Sequence, residues 1–227
     1  MPVLDNFAVP LSPDYLIKQL RLEKRQDYSE IVQDLIQTVK ALITPKIVYR
    51  VSFIEGRGES SVAIDGRTFT SSVLKKNLEN VERVFPYIIT VGGALEERAS
   101  GMDDLLQQYY LEATADIALR IGKQHLEKHL KKNYGLDKIS SMSPGSLPNW
   151  PITEQKPLFS LIGDTEKLVG VRLTDSMLML PRKSISGIVF PTEVTFNSCQ
   201  LCPRERCEGR KAPYDEALRE KYGLADE

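Results

Sequence analysis

Cysteine is nearly absent: the chain has three in 227 residues, all within Cys199–Cys207. An odd number so tightly packed excludes a disulfide framework and fits a reducing compartment. Histidine is scarcer still, at two residues. Excess charge is lacking as well. Thirty Lys and Arg face 31 Asp and Glu, for a net charge of −1, which removes the electrostatic footprint of a dedicated nucleic-acid binder. No apolar run approaches the roughly 18 residues of a membrane span. The start, Met1-Pro2-Val3-Leu4-Asp5, has neither the basic nor the apolar region of a leader. What is present is 41% hydrophobic residues. A chain of this length buries roughly 70% of its unfolded surface, enough for one sizeable domain or two small ones. Composition predicts a soluble, cytoplasmic protein.

The pattern mixes helices and strands without a repeat. Helices are expected at Asp14–Arg21, at Asp27–Leu42 with Ile31, Leu35, Val39 and Leu42 at helical spacing, and at Ser71–Leu78 with Ser71 or Ser72 as N-cap. Alternation over Lys46–Ile54 predicts one strand with Ile47, Tyr49, Val51 and Phe53 on its apolar face. A returning strand starts at Ser61–Ile64, and Arg83–Val91 is the best buried-strand candidate. The longest helix is expected at Asp103–Lys132, opening on two acids and closing on lysines that suit the helix dipole. Leu136–Lys156 reads as loop, Thr153–Ile162 as helix, Leu168–Phe196 as β-rich, and the charged tail as ending in a short helix from Pro213. Strands and helices do not alternate regularly, so an α+β domain fits better than a parallel α/β fold.

Few residues offer chemistry. His125 and His129 lie four apart on one helix face, a metal-ligand spacing, but Glu127 falls one place too late for the zinc-protease pattern. An ordinary surface pair is the expected role. Ser143-Pro144-Gly145-Ser146 lacks the strand, glycines and lysine of a nucleotide-phosphate loop and reads by composition as a rigid turn. The strong signal is Cys199-x2-Cys202-x4-Cys207, three thiols able to grip one metal centre from a compact loop. Arg204, Arg206, Arg210 and Lys211 would offset the charge of a thiolate cluster. Three protein sulfurs without a nearby fourth ligand favour a [4Fe–4S] cluster, with one iron left open, over zinc.

The run Leu173-Thr174-Asp175-Ser176-Met177-Leu178-Met179-Leu180-Pro181, followed by Ser184-Ile185-Ser186-Gly187, resembles the C-terminal reactivation (activation) domain of cobalamin-dependent methionine synthase. Ser143-Pro144-Gly145, Trp150-Pro151 and Leu158–Ile162 stand where that family has its Arg-x-x-x-Gly-Tyr loop and the helix after it, and the helix Leu111–Leu130 lines up as well. The likeness covers about residues 85–197; the first 80 residues look more like stand-alone short members found beside corrinoid enzymes. It implies an α+β fold with an antiparallel sheet and a long helix, divided as a 1–80 region packed on an 81–197 core with a 198–227 cysteine-motif tail. It further implies a domain that binds S-adenosylmethionine over a corrinoid, with Ser141, Ser143, Gly145 and Ser146 at the ligand loop.

Departures from the family pattern matter for that expectation. The clamp arginine's place is taken by Ser141, the tyrosine after the glycine by Ser146, and the acid of the long helix by Arg120. A serine cannot replace a bidentate guanidinium, so S-adenosylmethionine binding is expected to be weakened or repositioned. The expected role is an accessory for reductive reactivation of a separate corrinoid methyltransferase, such as a methionine synthase lacking its own activation domain. That partner supplies the cobalamin, and Cys199, Cys202 and Cys207 hold an iron–sulfur cluster. The alternative is a non-catalytic corrinoid-protein binding module with a structural zinc. Trp150, the only tryptophan, is expected either near the partner interface with the Pro144–Pro151 loop or in the core beneath that loop.

Overall fold

The computed structural model describes every residue except Asn6, Arg25, Glu208 and 225–227. In chain order the elements begin β1 (Val3–Asp5), α1 (Pro13–Gln19), α2 (Tyr28–Leu42), β2 (Lys46–Tyr49), β3 (Ser52–Arg57), β4 (Ser61–Ile64) and β5 (Arg67–Thr70). Next come α3 (Ser72–Asn77), β6 (Arg83–Thr90), α4 (Ala94–Ser100), α5 (Leu105–Tyr134) and β7 (Ile139–Met142). The C-terminal part holds α6 (Gln155–Ile162), α7 (Thr165–Val169), β8 (Arg172–Leu173), β9 (Met179–Leu180), β10 (Ser184–Pro191) and α8 (Glu216–Lys221). The fold is α+β, as the sequence predicts.

An antiparallel sheet of eight strands runs β1-β2-β6-β3-β4-β5, with β10 also on β6 and β7 on the far side of β10. β6 is central because Val84 to Val91 is apolar on both faces, and both faces are covered. Phe85, Tyr87 and Ile89 meet α5 together with α1, α2 and α4. Val84 packs with α3 and α6, and Ile88 with α6 and α7, on the other side. The α5 helix is roughly 45 Å long. It is opened by Asp104, whose carboxylate accepts from the N–H groups of Leu106 and Gln107, and closed by Gly135 at φ 63°. Glycine is needed there because a Cβ disfavours the left-handed conformation.

Two expectations need correction. Lys46–Ile54 is not one strand: β2 and β3 lie end to end along the same edge of β6, broken at Arg50 and Val51. The N–H of Arg50 donates to Pro86 O at 3.0 Å, but Pro86 has no N–H to return, so the ladder loses a rung there. The register nevertheless runs on unshifted across the gap, so Ile47, Tyr49 and Val51 keep one face, Val48 and Ile54 pack on the other, and Phe53, at the end of the ladder, is 55% exposed. Leu136–Lys156 is not all loop either. It contains β7, whose Ile139-Ser140-Ser141-Met142 is too polar to stand out as a strand but pairs with β10 from Ile188 to Pro191.

Candidate ligand site beside the cysteine loop

β7 is an edge strand: among the described residues its only strand partner is β10. Register places Ser141 opposite Val189, and Val189 belongs to the face covered by α5. Ser141 is half-buried there. Beyond Met142 the chain turns tightly through Ser143–Trp150. The N–H of Ser146 donates to Ser143 O (3.1 Å), that of Gly145 to Trp150 O (2.7 Å), and that of Trp150 to Leu147 O (3.0 Å). Gly145 has φ 81°, a left-handed conformation that favours glycine, and Ile152 packs over its bare Cα.

Trp150 is fully buried and sets the turn from beneath, edge-on to Phe69 at 6.5 Å between ring centroids. Its placement near a partner surface is therefore wrong; the ring is part of the core between α3, α6 and the sheet. Asn149 fixes the turn from the side. Its Oδ1 accepts from Ser71 Oγ (3.2 Å), Ser72 Oγ (3.0 Å) and Val73 N–H (3.1 Å), joining the turn to the start of α3.

Above the turn, three oxygens crowd the bare Cα of Gly187 on β10. A Cβ there would lie 2.5 Å from Met142 O, 2.8 Å from Ser143 Oγ and 2.9 Å from Tyr87 OH. Tyr87 is the residue paired with Gly187 across β6 and β10. Glycine thus lets two hydroxyls and a carbonyl approach one spot at the root of the turn, a feature the Ser-Ile-Ser-Gly motif contains but does not explain.

The cysteines lie against this turn. Ser146 Oγ donates to Ser198 Oγ at 3.3 Å, next to Cys199. Asn197 and Gln200 form a reciprocal cap that starts the loop, and buried Leu201 anchors it in the core. Arg210 ties the loop together: Nη1 donates to the carbonyls of Cys199 (3.0 Å) and Ala212 (3.4 Å), and Nη2 to those of Cys202 (3.3 Å) and Arg204. The N–H of Lys211 donates to Cys199 Sγ at 3.4 Å. Cys199 and Cys202 are half-buried and Cys207 is exposed. The donors suit a thiophilic metal or cluster, but among the described residues no three Cys, His, Asp or Glu side chains are gathered around one point. As arranged, the loop is held together by Arg210.

A groove of about 920 Å³ lies between α3, the Gly135–Lys138 turn before β7, the stretch Pro191–Phe196 after β10, and α8, and the cysteine loop reaches it through Gln200. Phe196 and Tyr222 line it with ring centroids 5.5 Å apart. Burial raises the Tyr222 phenol above its ordinary pKa, against a hydrogen bond to Asn77 Oδ1 at 3.1 Å that lowers it. The short helix expected in the tail from Pro213 is α8, beginning at Glu216, whereas the groove is not legible from the sequence because its walls come from segments far apart in the chain.

The remaining candidates separate from the site. Arg120 lies on the face of α5 toward the N-terminal arm, 3.5 Å from Gln19 Oε1. His125 and His129 are half-buried, not a surface pair. His125 stacks on Phe7 at 4.5 Å, and His129 Nε2 meets Tyr49 OH at 2.9 Å. Desolvation, followed by repulsion from His125, pushes His129 below its ordinary pKa. The Tyr49 phenol is raised by burial and by its bond to Tyr134 OH.

Residues 142–208 match the family model described as vitamin B12 dependent methionine synthase, activation domain. A crystal structure of the MetH reactivation domain bound to AdoHcy superposes with a TM-score of 0.58, at 16% sequence identity, over 87% of this chain and 81% of that one. No curated protein sequence matches the chain. The resemblance expected from the sequence is thereby borne out. The matched segment contains the Ser143–Trp150 turn, β10 and all three cysteines. Among the described residues, no helix is long and apolar enough to cross a membrane.

Proposed function

On the premise that this chain carries the activation-domain pattern in a reactivation-domain fold, we propose that it is an accessory for reductive reactivation of a separate corrinoid-dependent methyltransferase. It binds S-adenosylmethionine at the edge of β7. The observation that carries this reading is the junction of the ligand turn and the cysteine loop at Ser146 and Ser198, which sets a sulfur-rich loop directly against the ligand turn. Ser143 and Ser146 offer hydroxyls, Gly145 a close backbone approach, and the outer edge of β7 its unpaired main chain. Ser141 contributes no charge, so the amino-acid carboxylate of the ligand is held without an arginine clamp. The adjoining groove, with Phe196 and Tyr222, has room for the nucleoside.

Calorimetry with S-adenosylmethionine tests this. Weak binding is expected, tightened roughly tenfold or more by Ser141→Arg through a charge-assisted contact. Absence of any binding to both proteins would refute the ligand site. In the finer form of this reading Cys199, Cys202 and Cys207 hold a [4Fe–4S] cluster. Anaerobic reconstitution with iron and sulfide should then give roughly four iron per chain, lost in Cys202→Ala. A second reading, a non-catalytic corrinoid-protein binding module with a structural zinc, is favoured by the packing of Cys202 against the core. Stoichiometric zinc in a colourless protein would support it.

A further inference from the structure

On the side of α5 away from the sheet, the N-terminal arm crosses the helix and encloses a groove of about 380 Å³. The arm is pinned by Phe7, which stacks on His125 and packs against Gly122. A Cβ on Gly122 would lie 3.5 Å from the Phe7 ring. Into the groove α5 turns Arg120, Gln124 and Lys128, which share one face by their spacing of four and eight, together with His125, three before Lys128. From the arm come Ser12 and Tyr15.

No carboxylate lines this groove. Among the described residues neither Arg120 nor Lys128 forms an ion pair, and the only polar partner of Arg120 is the neutral Gln19 amide at 3.5 Å. Ser12 occupies the N-cap of α1, yet its hydroxyl makes no capping bond. In a chain whose charges otherwise cancel, a guanidinium, an ammonium, an imidazole and two hydroxyls thus line one concavity with no carboxylate to neutralise them.

We propose that this groove binds the phosphate of a small phosphomonoester. Arg120 and Lys128 supply the charge, while Ser12, Tyr15 and Gln124 donate to the remaining oxygens. A phosphate presents several acceptor oxygens in a tetrahedron, which suits donors arriving from two elements better than a planar carboxylate does. The groove is closed on one side by the pinned arm, so the ligand is a small molecule rather than a polymer. The site stands apart from the ligand turn and does not rest on S-adenosylmethionine binding.

Titration calorimetry at fixed ionic strength with AMP, inorganic phosphate and adenosine tests the proposal, with the His125 ring proton resonances recorded alongside. AMP should bind and shift the His125 signals, inorganic phosphate should compete with it, and adenosine should do neither. Arg120→Gln and Lys128→Gln should each weaken AMP roughly tenfold or more, with unchanged circular dichroism because both side chains are exposed. Binding of phosphate but not of AMP would overturn the ester assignment. No AMP binding, or binding unaffected by both substitutions, would overturn the site.

Discussion

Replacing Gly187 with alanine places a methyl group where β6, β10 and β7 meet. The added Cβ falls 2.5 Å from Met142 O, a main-chain atom of the edge strand, and 2.8 and 2.9 Å from the Ser143 and Tyr87 hydroxyls. A hydroxyl can rotate or tilt away; the carbonyl moves only with β7. Overpacking a well-filled site of this kind costs about 1–3 kcal/mol. For a chain of this length each kcal/mol lowers Tm by roughly 2–4 °C, so Gly187→Ala should melt clearly below the wild type. The loss should concentrate in β7, with faster amide exchange at Ser140–Met142 and weaker binding at the ligand turn. Adding Tyr87→Phe removes one of the three contacts but leaves the carbonyl, so it should restore only part of the loss. Gly56→Ala is the control, because nothing lies within 4 Å of its added Cβ. A Gly187→Ala protein that melts and exchanges like the wild type would refute the claim that this bare Cα holds β7 in place.

Asn149→Ala should cost about 1–3 kcal/mol, since it strands the Val73 N–H and two serine hydroxyls at once; urea unfolding measures it, and a neutral result would dissolve the link between the turn and α3. Trp150, fully buried, should emit at short wavelength and resist acrylamide quenching, with no change when a corrinoid partner is added; strong quenching in the folded state would contradict its core placement. His129 titrates below its ordinary value of 6.5 in the folded chain, so the unfolded chain binds its proton first as pH falls. The stability it contributes is present above about pH 6.5 and is lost as pH drops toward the folded value. Urea midpoints at pH 7.5 and 5.5 should therefore differ less in His129→Gln than in the wild type, and equal slopes would refute the assignment.

The elements written in strong local patterns could be read in advance. The α5 helix has acids at its start, lysines near its end and apolar residues on two sides, and it forms within two residues of the expected bounds. β6 is apolar at nearly every position because both its faces are covered, and Ser71 caps α3 because a serine oxygen can satisfy an otherwise orphaned N–H. The cysteine spacing, with arginines around it, marks a loop of unusual chemistry by composition alone. Tertiary structure decided the rest, because the deciding partner is distant in sequence. Pro86 breaks the β2–β3 strand from across the ladder. β7 exists because β10 supplies its hydrogen bonds, not because its polar residues favour a strand. Trp150 points inward because Phe69 and the sheet give its ring a place, whereas its flanking prolines fit a surface loop equally well. Ser146 meets Ser198 across 52 residues. Local periodicity reports which side of an element is apolar; what covers that side, and which loops then touch, depends on contacts that no short window of sequence contains.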